Sequence, residues 1–135
     1  MPVSLEVTRI FAFDAAHNIE NYEGKCHNLH GHRYKLELTV RGVPDQRGIV
    51  VDFGDLKALY REEYEPLLDH RYLNESLGMP NSTAENLSIW FFDHWDAVVR
   101  PRYPHIQPVR IRLWETDNAF VTLTYEDWRA GRADQ

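Results

Sequence analysis

From Arg33 to Arg41 the chain alternates strictly, with Tyr34, Leu36, Leu38 and Val40 set between Arg33, Lys35, Glu37, Thr39 and Arg41. A period of two is the signature of an extended strand with one buried and one wet face. Such a strand needs a second layer to cover its apolar side, so the rest of the chain has to supply neighbouring strands and a cover.

The neighbours are legible on both sides. Residues 3 to 16 read as a strand, with Val3, Leu5 and Val7 on one face and Phe11 and Phe13 following in register after Arg9. Gly42 to Gly48, with Pro44 and Asp45, reads as a turn, and Gly48 to Val51 as a short strand extension. Asp52 or Asp55 can cap a helix whose apolar positions are Leu56, Leu59, Tyr60, Tyr64 and Leu67, with Pro66 at its frayed end. Ser82-Thr83-Ala84-Glu85 reads as a capping box with Ser82 at the cap. The helix behind it carries Leu87, Trp90, Phe91, His94, Trp95 and Val98 on one stripe, and Pro101 and Pro104 end it. Two further strands, 109 to 114 and 119 to 125, flank the turn Thr116-Asp117-Asn118, and the tail from Arg129 is polar and read as loose.

The order strand, strand, helix, helix, strand, strand predicts an α+β fold. It is a four-stranded antiparallel sheet with both helices on one face, in a single domain over residues 1–135. Four such strands cannot close a barrel alone. Their open edges predict pairing between copies of the chain.

Composition narrows the function. A net charge of -6 argues against a general nucleic-acid coat but leaves room for a small anionic substrate beside a local basic group. The lone Cys26 excludes an intrachain disulfide and fits a reducing cytoplasm. No apolar run is long enough for a membrane span, and the alternating N-terminus does not read as a secretory signal.

The chemistry concentrates in Cys26-His27-Asn28-Leu29-His30-Gly31-His32. On an extended strand His30 and His32 point to the same face, and His17 would lie beside them if the first two strands pair antiparallel. Three imidazoles with an open fourth position are the ligand set of a catalytic zinc. Gly31 between them would let a ligand or another backbone come close. Cys26 lies near that zinc, with Lys25 beside it to favour the thiolate, and could serve as base or nucleophile. Asp69 beside His70 is an acid–base pair. Glu115 ends a strand where its carboxylate could accept two parallel hydrogen bonds from an amino-pyrimidinone edge. His27, His94 and His105 read as ordinary solvated or hydrogen-bonded histidines. A cupin-like reading of Gly24-x5-His30-x-His32-x4-Glu37 fails downstream, where the Gly expected after Glu37 arrives early at Gly42 and no second metal motif follows.

Taken together, Cys26-x-x-x-His30-Gly-His32, His17 after an Ala-Ala pair, Leu68-Asp69-His70-x-Tyr72-Leu73-Asn74, Thr83-x-Glu85-Asn86 and Glu115-Thr116 resemble the 6-pyruvoyltetrahydropterin synthase family from about residue 8 to residue 125. Three residues between the Cys and the His-Gly-His resemble its bacterial queuosine-pathway branch, the 6-carboxy-5,6,7,8-tetrahydropterin synthases. The resemblance implies a tunnelling fold, in which trimers join their sheets into a twelve-stranded barrel and two trimers stack as a hexamer with active sites at subunit interfaces. It implies zinc on His17, His30 and His32, Cys26 as the proton-abstracting thiolate, and Asp69 with His70 as a proton relay. Glu115 would anchor the pterin, with Thr116, Thr83 and Glu85 as neighbours. The implied substrate is 7,8-dihydroneopterin triphosphate, its triphosphate held by Lys25, by Arg residues of a neighbouring chain, or by both. The implied products are 6-carboxy-5,6,7,8-tetrahydropterin, acetaldehyde and triphosphate. Two alternatives remain open: a 6-pyruvoyltetrahydropterin synthase, which eliminates triphosphate without losing carbon, and a non-catalytic zinc- or pterin-binding oligomer.

Overall fold

The alternating segment forms the centre of the sheet. In the computed structural model, which describes residues 2–19 and 28–133, strand β1 (Leu5–His17) pairs antiparallel with β2 (His30–Gly42) along its whole length, from Leu5 opposite Gly42 to His17 opposite His30. On β1 the inward positions Phe11, Phe13, Ala15 and His17 are buried, whereas Leu5 at its start and Val3 before it are exposed. Arg9, which interrupts that apolar series, reaches from the inner face to the carbonyl of Phe53.

Helix α1 (Phe53–Glu63) starts at Asp52, whose side chain accepts from the Gly54 N–H; Asp55 lies in the first turn instead of capping it. The segment before it forms no strand. Gly48 turns the chain with φ +84° and donates to the Asp45 carbonyl, so 48–51 is a bend that delivers Asp52 to its cap. After Tyr64 comes a single turn, α2 (Glu65–Leu68), then a two-residue strand β3 (Arg71–Tyr72) and the short α3 (Leu73–Ser76).

Helix α4 (Ala84–His94) is capped by Thr83, which accepts from the Asn86 N–H, so the cap lies one residue later than the sequence pattern suggests. The Ser82 hydroxyl is not available for capping, because it donates to the side chain of Asn74. Residues Trp95–Val99 wind as a π-helix, and this wider turn brings Val99 into the core in place of the half-buried Val98. Pro101 does not end the helix; it sits inside a last turn, α5 (Arg100–Arg102), and the chain leaves helix at Tyr103, before Pro104.

Strand β4 (Gln107–Thr116) pairs antiparallel with β2, and β5 (Ala119–Thr124) pairs with β4. The tail is not loose. Helix α6 (Tyr125–Ala133) is fastened by Trp128, which is buried against Phe92 and donates its indole N–H to Asp93 at 3.0 Å.

Sheet order is β3-β1-β2-β4-β5. The expected four antiparallel strands are therefore joined by a fifth, since β3 adds a parallel edge at Ala15 and Ala16 of β1. Tyr34, Leu36, Leu38, Ile111 and Leu113 meet Leu59, Tyr64, Phe91 and Trp95 of the helical layer in one core. Among the described residues β5 has no partner on its outer edge, and no helix is long and apolar enough to cross a membrane.

Candidate metal centre

Where β1 ends and β2 begins, strand pairing sets His17 opposite His30, and the pleat returns His32 to the same face. The three rings meet edge to face, with centroids 4.5 Å apart for His17 and His30, 5.0 Å for His17 and His32, and 4.8 Å for His30 and His32. Tyr34 closes the floor, its ring 5.9 Å from His17 and 5.7 Å from His32. His17 is fully buried, and His30 and His32 are half-buried.

Hydrogen bonding fixes two of the tautomers. His17 Nδ1 lies 2.7 Å from the Ser82 carbonyl and His30 Nδ1 lies 2.7 Å from the Asn28 carbonyl. A carbonyl can only accept, so both Nδ1 atoms carry hydrogen, and in neutral rings both Nε2 atoms are bare lone pairs. Those Nε2 atoms face each other at 3.0 Å, an arrangement that repels unless positive charge lies between them. One donor atom from each of the three rings lies within 4.8 Å of the others. Zinc–nitrogen bonds of about 2.0–2.1 Å at tetrahedral angles would set such donors about 3.3 Å apart. Donor chemistry, orientation and spacing thus fit a divalent cation, and the carbonyl partners are the kind that hold metal-ligating imidazoles in place. Burial holds the His32 pKa below the ordinary imidazole value, helped by His17 and His30 and opposed by Glu115, so the ring favours the neutral form a ligand needs.

Glu115 reaches the same point from β4, where the register shifts between Trp114 and Thr116. Its Oε1 is 3.2 Å from His17 Nε2 and 3.6 Å from His32 Nε2. The carboxylate is therefore placed against the imidazoles and partly open to solvent, where a ligand at the metal would meet it.

Asp69 and His70 form a second cluster, with Asp14, on the far side of β1. Asp69 Oδ1 accepts the Asp14 N–H at 3.0 Å while Oδ2 stands 2.9 Å from His70 Nδ1. The bond from the Asp14 backbone, with smaller help from His70 and Arg33, holds the Asp69 carboxyl below the usual carboxylate range against the opposing effect of burial. His70 is the one described non-glycine residue with positive φ (57°), pinned by its own N–H to the Asp14 carbonyl at 2.6 Å. Its ring remains mostly exposed, facing a cleft of about 570 Å³ lined also by Gly31, His32, Arg33 and Tyr72.

The profile of the 6-pyruvoyl tetrahydropterin synthase family matches residues 6–126. The chain belongs to that family. A Synechocystis sp. protein named 6-carboxy-5,6,7,8-tetrahydropterin synthase is 39% identical over 87 residues, 61% of this chain and 67% of its own. A Haemophilus influenzae protein of the same name is 29% identical over 142 aligned positions, 85% of this chain and 95% of its own. The 6-pyruvoyl tetrahydrobiopterin synthase of Poecilia reticulata is 36% identical over 136 positions, covering 89% and 90%. In three dimensions the 6-pyruvoyl tetrahydropterin synthase of Caenorhabditis elegans superposes with a TM-score of 0.76 at 26% identity, covering 91% of this chain and 96% of its own. The fold is thus the tunnelling fold of these synthases.

Other residues expected at a pterin synthase site fall in different places. Lys25, Cys26 and His27 lie outside the described residues. Thr83 spends its hydroxyl on the α4 cap beside Ser82, Glu85 is exposed in the first turn of that helix, and Thr116 accepts from the Asn118 N–H at 3.3 Å. A methyl group added to Gly31 would sit 3.5 Å from the Ala15 carbonyl oxygen, an ordinary contact, so close backbone approach within the chain does not require this glycine. Glu37 points to the opposite face from His30 and His32, where it bonds Trp114, which removes the cupin-like arrangement. Sequence reasoning misses Asp14, which reads as one more outward strand residue, and the carbonyls of Asn28 and Ser82, whose contribution has no side-chain signal.

Proposed function

We propose that this chain is a zinc-dependent 6-carboxy-5,6,7,8-tetrahydropterin synthase that converts 7,8-dihydroneopterin triphosphate and water to 6-carboxytetrahydropterin, acetaldehyde and triphosphate, as a lyase of queuosine biosynthesis in the cytoplasm. The observation that carries the reading is the convergence of His17, His30 and His32 with both described Nδ1–H groups tied back to carbonyls. Names of relatives support the pterin class, and the Cys26-x-x-x-His30 spacing supports the carboxy branch.

When bound, zinc supplies Lewis acidity to a side-chain hydroxyl of the substrate. His17, His30 and His32 hold it, and Glu115 stands where it can receive the amino-pyrimidinone edge of the pterin. Cys26 takes the carbon-bound proton. Asp69 fixes the His70 tautomer, leaving Nε2 of an exposed ring to give and take protons at the substrate. The left-handed backbone at His70 supports a catalytic over a merely binding oligomer, because such strain persists only where surrounding structure holds it, and a packing histidine has no need of it. Within one chain Asp69 and His70 group apart from the three imidazoles, across a cleft that His32 also lines, and among the described residues β5 has an unpartnered edge. Both features support sites completed between subunits of a barrel-forming hexamer.

The relationship to the Poecilia reticulata protein favours one second reading, triphosphate elimination to 6-pyruvoyltetrahydropterin. Mass analysis after incubation with dihydroneopterin triphosphate separates the two: acetaldehyde with the carboxy product is expected. A pyruvoyl product without carbon loss would replace the assignment, and no turnover by the zinc-loaded protein would leave the binding oligomer.

A further inference from the structure

The Ser82 carbonyl that orients His17 belongs to the loop between α3 and α4. Asn86 donates to the Asn81 carbonyl at 2.9 Å and Asn81 bridges to Ile19, but the side chain that joins the loop to the residue after His17 by the most bonds is Asn74. Asn74, in the first turn of α3, uses all four of its hydrogen-bonding positions. Its Oδ1 accepts the Asn18 N–H at 3.1 Å and the Ser82 hydroxyl, and its Nδ2 donates to the carbonyls of Asn18 at 2.8 Å and Pro80 at 2.9 Å. Asn18 directly follows His17, and its own side chain accepts from the Tyr72 hydroxyl at 2.7 Å.

Bonding both the N–H and the C=O of Asn18, the Asn74 amide acts as one more ladder rung past the end of β1. The same amide grips the 80–82 loop. With the Ile19–Asn81 bridge, it therefore helps to set the distance between the His17 backbone and the Ser82 carbonyl, which lies 2.7 Å from His17 Nδ1. We propose that Asn74 is a positioning residue of the metal centre, fixing through Asn18, Pro80 and Ser82 the tautomer and aim of His17. Asparagine is required because it offers two donors and two acceptors in one plane; aspartate keeps the shape and loses both donors.

This inference rests on the proposed zinc site, and the test separates the two. Zinc affinity by chelator competition, the visible spectrum of the cobalt-substituted protein and the melting temperature of the metal-free protein are measured for wild type, Asn74→Asp, Asn74→Ala and Ser76→Ala. Ser76 lies on the same helix and loses one bond, to the Leu67 carbonyl, outside the network. Asn74→Asp should bind zinc about 10- to 100-fold more weakly, the range typical of residues that orient metal ligands, and should shift the cobalt spectrum. Ser76→Ala should change neither. Wild-type zinc affinity and spectrum in a folded Asn74→Asp protein would reduce Asn74 to a structural residue and overturn the proposal. If neither variant at position 74 folds, Ser82→Ala removes the hydroxyl's bond to Asn74 and its longer one to the Asn18 carbonyl, and unchanged affinity and cobalt spectrum in that variant overturn it equally. Failure of wild type to bind zinc would instead remove the metal site itself.

Discussion

Two histidine-bearing clusters, one of three imidazoles and one of a single imidazole with two carboxylates, are built at one end of β1, and they are held in opposite ways. His17 and His30 are tied through Nδ1 to neutral main-chain carbonyls, with His17 buried, and their Nε2 atoms converge. His70 is tied through Nδ1 to a carboxylate, stands on a left-handed backbone, and presents a mostly exposed ring to the cleft. Carbonyl partners orient a ring without adding charge, which suits rings whose lone pairs must gather around a cation. A carboxylate partner beside a solvent-facing ring suits a group that exchanges protons. On the proposed function, the difference is that between a holding site and a transferring one.

The largest effects should come from breaking each cluster in turn. His30→Ala removes one of three ligands and should leave the purified protein with little or no zinc by elemental analysis after dialysis. His70→Ala should keep full zinc and lose about two to four powers of ten in turnover, the worth of a positioned acid or base. Zinc loss in His70→Ala, or zinc retention in His30→Ala, would merge the two roles and end the comparison.

A smaller effect concerns the carboxylate that marks the second cluster. The pKa of Asp69 is lowered on folding, chiefly by the Asp14 N–H, so its ionised form favours the native state. Its contribution is fully present above the unfolded value, near 3.9, and is lost as pH falls through the lower folded value. The stability gap between wild type and Asp69→Asn, from urea unfolding, should be constant from about pH 5 to 7 and narrow below about pH 4. A gap that widens on acidification would mean that Asp69 is not held as an anion.

Much of this architecture is legible in the order of residues, for reasons that differ along the chain. The β2 alternation, continuing from His30 and His32, determines which face the imidazoles share, and antiparallel pairing is enough to bring in His17. Both helices are readable from their stripes, yet their ends are not: the cap moves from Ser82 to Thr83 because the Ser82 hydroxyl is engaged by Asn74, a contact eight residues away in sequence. Helix α6 escapes pattern reading because one buried residue, Trp128, fastens an otherwise polar segment; the bond from the Asp127 N–H to the Thr124 hydroxyl is the cap signal that marks its start. Strand β3 is two residues long and parallel, below what periodicity can register. Asp69 and His70 stand out as a pair, but the backbone of Asp14 that holds both is invisible in the sequence, since main-chain groups leave no mark on residue type.

The smallest effect tests the residue that joins the two clusters. Gly31 separates His30 and His32, the proposed ligands, and also lines the cleft that His70 faces. It is not one of the glycines with positive φ, and an added methyl would meet the Ala15 carbonyl oxygen at an ordinary 3.5 Å. Alanine therefore fits the native backbone, and it should stabilise the metal-free protein by about 0.4–1 kcal/mol by restricting the unfolded chain. Zinc affinity should stay at the wild-type level, because the new methyl points away from the face on which the imidazoles converge. A lower melting temperature would mean that the fold itself needs glycine here. Unchanged zinc and a raised melting temperature together with lost turnover would instead show that something other than this chain's own backbone, the substrate or a neighbouring subunit, comes close at position 31, and would place the cleft between the holding and the transferring cluster on the reaction path.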